Sequence, residues 1–336
     1  MLYIFVACGE VYQEYFGLYL IAALALSVPK ILFILFDLLF RGIKRITRWN
    51  IPQGKMSLIP ALATSVYIIF GATEGKQHFQ VKEVTYSSAE LPAAFDGYRI
   101  IQLSDIHSGS WKGNPAPLQE AIDICLAQKA DLALFTGDMV NSRSDELNEF
   151  MPVFEKLKAP DGVYSILGNH DYGLYIHWEH DSLRLADVDS LIARQNRIGW
   201  KMLNNENRII HRGKDSIALI GVENSGRPPF PDYAQLKKAS QGTDGMFKIL
   251  MSHDPTHWRK EVLPETDIQL MLAGHTHDMQ ISLFGFSASR FFYPEHNGMY
   301  YEGKRALYVN IGLGHVLFPM RLGAWPEITV ITLKKQ

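Results

Sequence analysis

Cysteine is nearly missing: two in 336 residues, Cys8 in an apolar segment and Cys125 in a helical stretch. Two such residues make neither a disulfide framework nor a zinc-finger spacing, so they do not report the compartment. Net charge is equally scant. The 33 basic and 35 acidic side chains leave −2 at neutral pH, which removes the overall basic footprint of a nucleic-acid binder. No nucleic-acid partner is indicated. Internal repeats and low-complexity tracts are also lacking, and residues 1–29 contain no Lys or Arg at all.

What the first quarter of the chain does have is apolar length. Leu18–Phe36 is a 19-residue run broken only by Ser27, Pro29 and Lys30, close to the roughly 20 residues a bilayer span needs. Leu58–Ala72 is a second, shorter run that spans with local thinning or lies partly in the interface. Met1–Gly9 is apolar as well and reads as the remnant of a further helix. No basic segment precedes the first run and no small-residue cleavage site follows it, which argues against a signal peptide. Between the runs, Arg41, Lys44, Arg45, Arg48 and Lys55 form a basic loop without an acid. The positive-inside rule puts that loop in the cytoplasm and everything after about Thr73 outside it. The competing reading is a basic interfacial segment on a wholly cytosolic protein. The expected division is a membrane region over 1–76, with about two transmembrane helices near 18–40 and 57–73, and a soluble domain over 77–336.

In the soluble part strands alternate with helical stretches. Gln80–Thr85 reads as an edge strand, followed by strand Tyr98–Ser104, helix Pro117–Gln128, strand Leu132–Thr136 and helix Glu146–Leu157. Strand Val163–Leu167, a helical stretch Ser182–Arg194 and strands Ser216–Val222, Phe247–Ser252, Ile268–Ala273, Ala306–Asn310 and Ile328–Leu333 complete the series. Short β-rich runs with helices between them predict α/β layers around buried sheet. Five of the strands stop on polar, metal-competent residues: Asp105-Ile106-His107, Gly137-Asp138, Gly168-Asn169-His170-Asp171, His253-Asp254 and Gly274-His275-Thr276-His277. Side chains on different strand ends converge only when the strands share a sheet edge, where open α/β sheets bind ligands. Carboxylate with imidazole suits a borderline divalent metal.

This series resembles the calcineurin-like metallophosphoesterases from about Tyr98 to His277. The tail, with Tyr308–Gly314 and Pro319-x-Arg321-Leu-Gly-Ala-Trp-Pro-Glu-Ile-Thr329, resembles a bacterial membrane-anchored branch. The resemblance implies a four-layer sandwich of two packed β-sheets flanked by helices, with N-terminal transmembrane helices added. It implies two divalent ions (Mn, Fe or Zn). Asp105, His107 and His277 would hold one, and Asn169, His253 and His275 the other. Asp138 would bridge them with one carboxylate oxygen to each. His170 would assist the leaving oxygen, and Asp171 would hold the His170 ring nitrogen. Two departures stand out. Where protein phosphatases of this superfamily carry an Asp-Arg pair and close the Gly-Asn-His motif with Glu, this chain has Asn141-Ser142 and Asp171. Where membrane-anchored members often have Gly-Gly-Gln after the last histidine, it has Asp278-Met279-Gln280, which should alter the pocket wall.

Seven histidines lie outside the series: His78, His177, His180, His211, His257, His296 and His315. Each reads as a surface or hydrogen-bonded histidine, with His257 the one to watch because it lies one turn beyond His253. Arg227 reads as a surface arginine within reach of a phosphate. The expectation is a phosphodiester or pyrophosphate hydrolase in the bacterial inner membrane, multi-pass, with its domain outside the cytoplasm and a phosphoester substrate, lipid-linked in one version. Two rivals stand beside it: a cytoplasm-facing pyrophosphatase for nucleotide-linked lipid precursors, and a membrane scaffold without activity.

Overall fold

The computed structural model describes the backbone of residues 2–49 and 52–336, and side chains from Tyr15 onward. Two six-stranded sheets dominate it. The first runs, edge to edge, Gln80–Ser88, Glu327–Lys335, Arg99–Leu103, Leu132–Phe135, Val163–Ser165, Trp200–Met202; the last four are mutually parallel. The second runs Gly298–Glu302, Arg305–Val309, Leu270–Ala273, Phe247–Met251, Asp215–Gly221, Glu206–Arg212, with its four inner strands parallel.

The pleat sends alternate residues to opposite faces, and both faces of these strands are covered. From the first sheet, Ile100, Leu132, Leu134 and Tyr164 meet Ile217, Leu219, Ile249 and Leu272 of the second. Their neighbours Ile101, Leu103, Ala133 and Phe135 point the other way, onto Leu118, Ala121, Ile122 and Cys125 of helix Ala116–Ala127 and onto Trp200. Behind the second sheet, Leu250, Met271 and Leu307 pack on Trp258 and Val262. Each such burial contributes roughly 1.5–3 kcal/mol. The layering is helix, sheet, sheet, helix.

Two sequence expectations shift. The helix expected over Glu146–Leu157 is a 3-10 turn, Ser144–Leu147, and a four-residue helix, Met151–Phe154. Pro152 sits in its first turn, where proline fits, and Glu146 is spent on loop amides described below. The strands Trp200–Met202, Glu206–Arg212 and Gly298–Glu302 are additional; they are short or half-exposed and so weakly patterned.

Helix α1 runs unbroken over Leu2–Thr47 and α2 over Gln53–Thr73. The apolar stretch after Met1, which itself lies outside the described residues, is thus the start of α1 and not a separate helix. Arg41, Lys44 and Arg45 lie on the last turns of α1, so the basic segment is largely helical and only Arg48 is in the connection. At 21 residues α2 exceeds its apolar run, because Gln53–Ser57 join it, and reaches about 30 Å. The pair docks on the domain through Ile21, Leu24, Val28 and Ile68, which pack on Met320 and Leu322, and the Arg321 amide donates to the Gly71 carbonyl at 3.0 Å.

Candidate metal centre

Parallel strands point their carboxyl ends the same way, so the loops after Leu103, Phe135, Ser165, Met251 and Ala273 open on one edge of the sandwich. These loops carry all seven residues expected as ligands and both expected catalytic residues. Their backbones are bent sharply to do so. Asp105, His107, Asp138, His275 and His277 have φ of 50°, 49°, 61°, 74° and 49°, the left-handed region that side chains other than glycine's occupy at a cost. Glycine lets the loops meet. A Cβ on Gly168 would collide with the Asp138 carboxylate, and one on Gly274 with Ser104 and Asp105.

The side chains fall into two neighbouring groups. In one, His277 Nε2 lies 3.2 Å from Asp105 Oδ1 and 3.0 Å from His107 Nε2. In the other, His253 Nε2 lies 3.1 Å from Asn169 Oδ1 and 3.2 Å from Asp138 Oδ2, with the His275 ring 5.1 Å from that of His253. Asp138 Oδ2 is also 3.7 Å from His107 Nε2, so this one oxygen faces both groups. Its partner Oδ1 accepts the His170 amide at 2.8 Å. One oxygen of Asp138 thus faces both groups of side chains, while the other accepts a backbone amide.

Burial alone would favour protonated carboxyls here, but His277 and His253 outweigh it and hold Asp105 and Asp138 below the usual carboxylate range. Burial pushes the rings of His107, His275 and His277 down, toward the neutral form. His253 goes the other way. Burial lowers it, yet the Asp138 carboxylate lifts it to about 10. Metal and proton compete for that nitrogen.

The rings of His253, His275 and His277 are held from behind, whereas the buried His107 Nδ1 has no hydrogen-bond partner among the described residues. His253 Nδ1 donates to the Thr136 carbonyl at 2.7 Å, which turns Nε2 inward. His275 Nε2 meets the Tyr293 hydroxyl at 2.8 Å, which leaves Nδ1 for the centre. Asn169 donates its amide to the Tyr175 hydroxyl at 2.7 Å, aiming its carbonyl oxygen at His253. Arg321, fully buried, donates to His277 Nδ1 at 3.0 Å and to the carbonyls of Ile311, Gly314 and Ala324. Burial lowers its guanidinium to about 10, still charged at neutral pH.

His170 stands at the mouth, its ring 4.8 Å from that of His107 and stacked on Tyr175 at 4.3 Å. Its Nδ1 donates to the Asn141 carbonyl at 2.7 Å. This corrects the role read for Asp171, which does not touch the ring. Consecutive residues of the turn His170–Tyr172 point apart, and the Asp171 carboxylate instead accepts amides of Asp138, Met139, Val140 and Gly168 at 2.8–3.2 Å. Burial and the Asp138 charge push it up to about 7, against the pull of those amides. Glu146 does the same for the next loop, accepting from Gly109, Asn141, Ser142 and Arg143 at 2.6–3.1 Å. Sequence reasoning missed Tyr175, Tyr293, Glu146 and the Asn141 carbonyl as holders. For Arg321 a signal existed: a lone cation within an apolar tail.

Of the outlying residues, His257 is satisfied by Ser252 at 2.9 Å and Glu261 at 2.8 Å, away from the centre. Arg227 is exposed on a loop whose Phe230 packs edge-on against His275 at 4.9 Å. Asp278 and Met279 both have φ of 49°. The wall therefore keeps a backbone suited to two glycines while carrying two side chains.

The donor set fits divalent metal. Asp138 is a buried carboxylate whose described ion-pair partners are imidazoles, not Lys or Arg, and buried charges need pairing or a metal. Three His/carboxylate groups converge there: Asp105 with His107 and His277, His107 with Asp138 and His170, Asp138 with His253 and His275.

The chain is 33% identical over 264 residues to the uncharacterized metallophosphoesterase YkuE of Bacillus subtilis, covering 76% of this chain and 85% of that one. It is 28% identical to a transmembrane protein with metallophosphoesterase domain from Danio rerio, covering 84% of this chain and 63% of that longer one. Among solved structures, the NAD nucleotidase of Haemophilus influenzae aligns with a TM-score of 0.42 at 16% identity, covering 65% of this chain and 45% of that one. The model of the calcineurin-like phosphoesterase family matches residues 98–279, more than half the chain and all seven positions expected as ligands, and the chain belongs to that family of dinuclear metal-dependent hydrolases.

Proposed function

We propose that this metal-dependent phosphoesterase is anchored in a membrane by α1 and α2 and hydrolyses a phosphodiester or pyrophosphate bond. Asp105, His107 and His277 would hold one divalent ion, and Asn169, His253 and His275 the other, with Asp138 shared. Manganese, iron and zinc all suit such ligands. One observation carries the reading: Asp138 Oδ2 is buried between two imidazole groups, with His170 at the rim above them. Two ions so held supply Lewis acidity and a water acidic enough to attack phosphorus near neutral pH.

The protein's own part is positioning and proton supply. Because His170 Nδ1 is committed to a carbonyl, Nε2 is the atom free to hand a proton to the departing oxygen. Tyr175 and Asn141 fix the direction of that transfer. In place of a phosphatase Asp-Arg pair, Asn141-Ser142 offers a backbone carbonyl to His170, which favours a diester or pyrophosphate over a monoester dianion. The membrane part rests on exposure: 6% of the first apolar window and 22% of the second is buried, unlike helices of a soluble core. The zebrafish relative's own name supports the same reading.

The test is the full chain, purified in detergent without chelator. Elemental analysis should approach two transition metals per chain, and diester and pyrophosphate turnover should exceed monoester turnover. Active protein with a stable content of zero or one metal refutes the dinuclear site. A clear preference for monoesters refutes the substrate class.

A further inference from the structure

Between the last metal ligand and the helix-docking segment, the chain makes a tight hairpin. Ser282–Leu283 pairs antiparallel with Phe286–Ser287 around Gly285, and a 3-10 turn, Ala288–Phe291, follows. This short stretch displays Leu283, Phe284, Phe286, Phe291 and Phe292, all exposed, with Phe284 completely so. Five large apolar side chains presented to water from one hairpin and turn form a patch that marks an interaction surface.

The patch is built, not loose. The Ser287 hydroxyl donates to the Asp278 carbonyl at 2.6 Å and accepts the Ser289 amide. The Phe286 and Phe291 rings lie 5.8 Å apart, and the Arg290 guanidinium sits 5.3 Å over Phe286. Aromatic rings with an arginine among them suit the boundary between lipid headgroups and acyl chains.

Its place decides the partner. Ile281, just before the hairpin, bridges to Leu322 and belongs to the cluster in which Ile68 of α2 and Ile21 and Val28 of α1 pack. The Ser282 amide donates to the Leu322 carbonyl at 2.7 Å. The patch therefore leaves the domain beside the docking point of the two apolar helices. On its other side, Phe292 adjoins Tyr293, whose hydroxyl holds His275, and Asp278 follows His277 directly.

We propose that the segment Leu283–Phe292 inserts into the headgroup region of the bilayer that α1 and α2 span, seating the mouth of the metal centre on the lipid surface. The proposal rests on the membrane reading of those helices. It makes a phosphoester carried by a lipid the substrate best placed for the site, since its phosphate lies at the depth the mouth faces.

The test uses the full chain with Cys8→Ser, leaving buried Cys125, and a polarity-sensitive label on Phe284→Cys. The protein is reconstituted in phosphatidylethanolamine–phosphatidylglycerol vesicles carrying doxyl lipids. The label should shift to the blue and be quenched more by doxyl groups near the headgroup than by deep ones, as an insertion of roughly 5–10 Å requires. The same label on Lys214→Cys, in an exposed turn of the second sheet, should be unaffected. A water-exposed label on a chain that resists carbonate extraction overturns the insertion while leaving the membrane reading standing. Release of the chain by carbonate overturns both. A blue-shifted label that doxyl lipids do not quench means that protein covers the patch, and equal quenching at both positions means non-specific adhesion; either result overturns the proposal.

Discussion

The His170 imidazole is held by the Nδ1 hydrogen bond to Asn141 and by ring contacts with Tyr175 and His107, which leaves Nε2 for chemistry. His170→Asn should keep the metal content while kcat falls by roughly 10²–10⁴-fold, the range for a positioned general acid. The loss should be greatest for a poor alcohol leaving group and small for nitrophenolate, which departs without a proton. Equal losses on both, or loss of metal, would remove the acid role. Asp138 stands at the opposite extreme, with one oxygen given to a backbone amide and the other facing both imidazole groups. Asp138→Ala should therefore strip metal more completely than His107→Ala, which empties one side. Elemental analysis of the two variants, grown alike, decides the point, and equal retention would contradict a shared ligand.

At the scale of elements, two carboxylates hold the loops in place. Asp171 gathers amides from the Asp138 loop and from Gly168, and Glu146 gathers those of Gly109 and residues 141–143. Arg321 does the corresponding work for the tail, tying the carbonyls of Ile311, Gly314 and Ala324 to the ring of His277. Its own backbone amide is bound to Gly71 of α2. Arg321→Met would leave those carbonyls unpaired, at a cost of about 1–3 kcal/mol for each buried group left unsatisfied. Thermal denaturation of the detergent-solubilised chain should show a lowered midpoint, and titration with Mn should show weaker binding of one ion than of the other. An unchanged midpoint would mean the network adds no stability.

For the whole molecule, the proposed anchoring raises the question of which side of a membrane the centre would face. Arg41, Lys44, Arg45 and Arg48 gather at the far end of α1 from Ile21–Val28, where the domain docks. Cations stay on the cytoplasmic side, so the domain is expected on the other. An alkaline phosphatase fused after Gln336 should be active in bacterial cells, and a reporter that works only in the cytosol should be silent at the same point. The reverse pattern would turn the molecule round and favour the cytoplasm-facing pyrophosphatase.

Much of the centre can be read along the chain because strand ends are local features. An apolar run that stops on Asp-x-His or Gly-Asn-His-Asp states both the strand and the group it delivers, and the parallel order within each sheet follows from helices between strands, while the packing of the two sheets brings three such ends beside the other two. The layered α/β class, the two apolar helices and the positions that converge were legible for that reason. The partners behind them were not. Whether Asp171 turns to His170 or to the amides of Asp138–Val140, and which oxygen of Asp138 is left free, depends on loops that meet only after folding. Tyr293 reaches His275 from 18 residues away and Arg321 reaches His277 from 44, distances at which no periodicity carries information. Along the chain the phenylalanines of the hairpin read as packing within the β-layers, the usual place for aromatic side chains. Only the tertiary structure shows them exposed beside α1 and α2, because burial is decided by what else occupies the surrounding space.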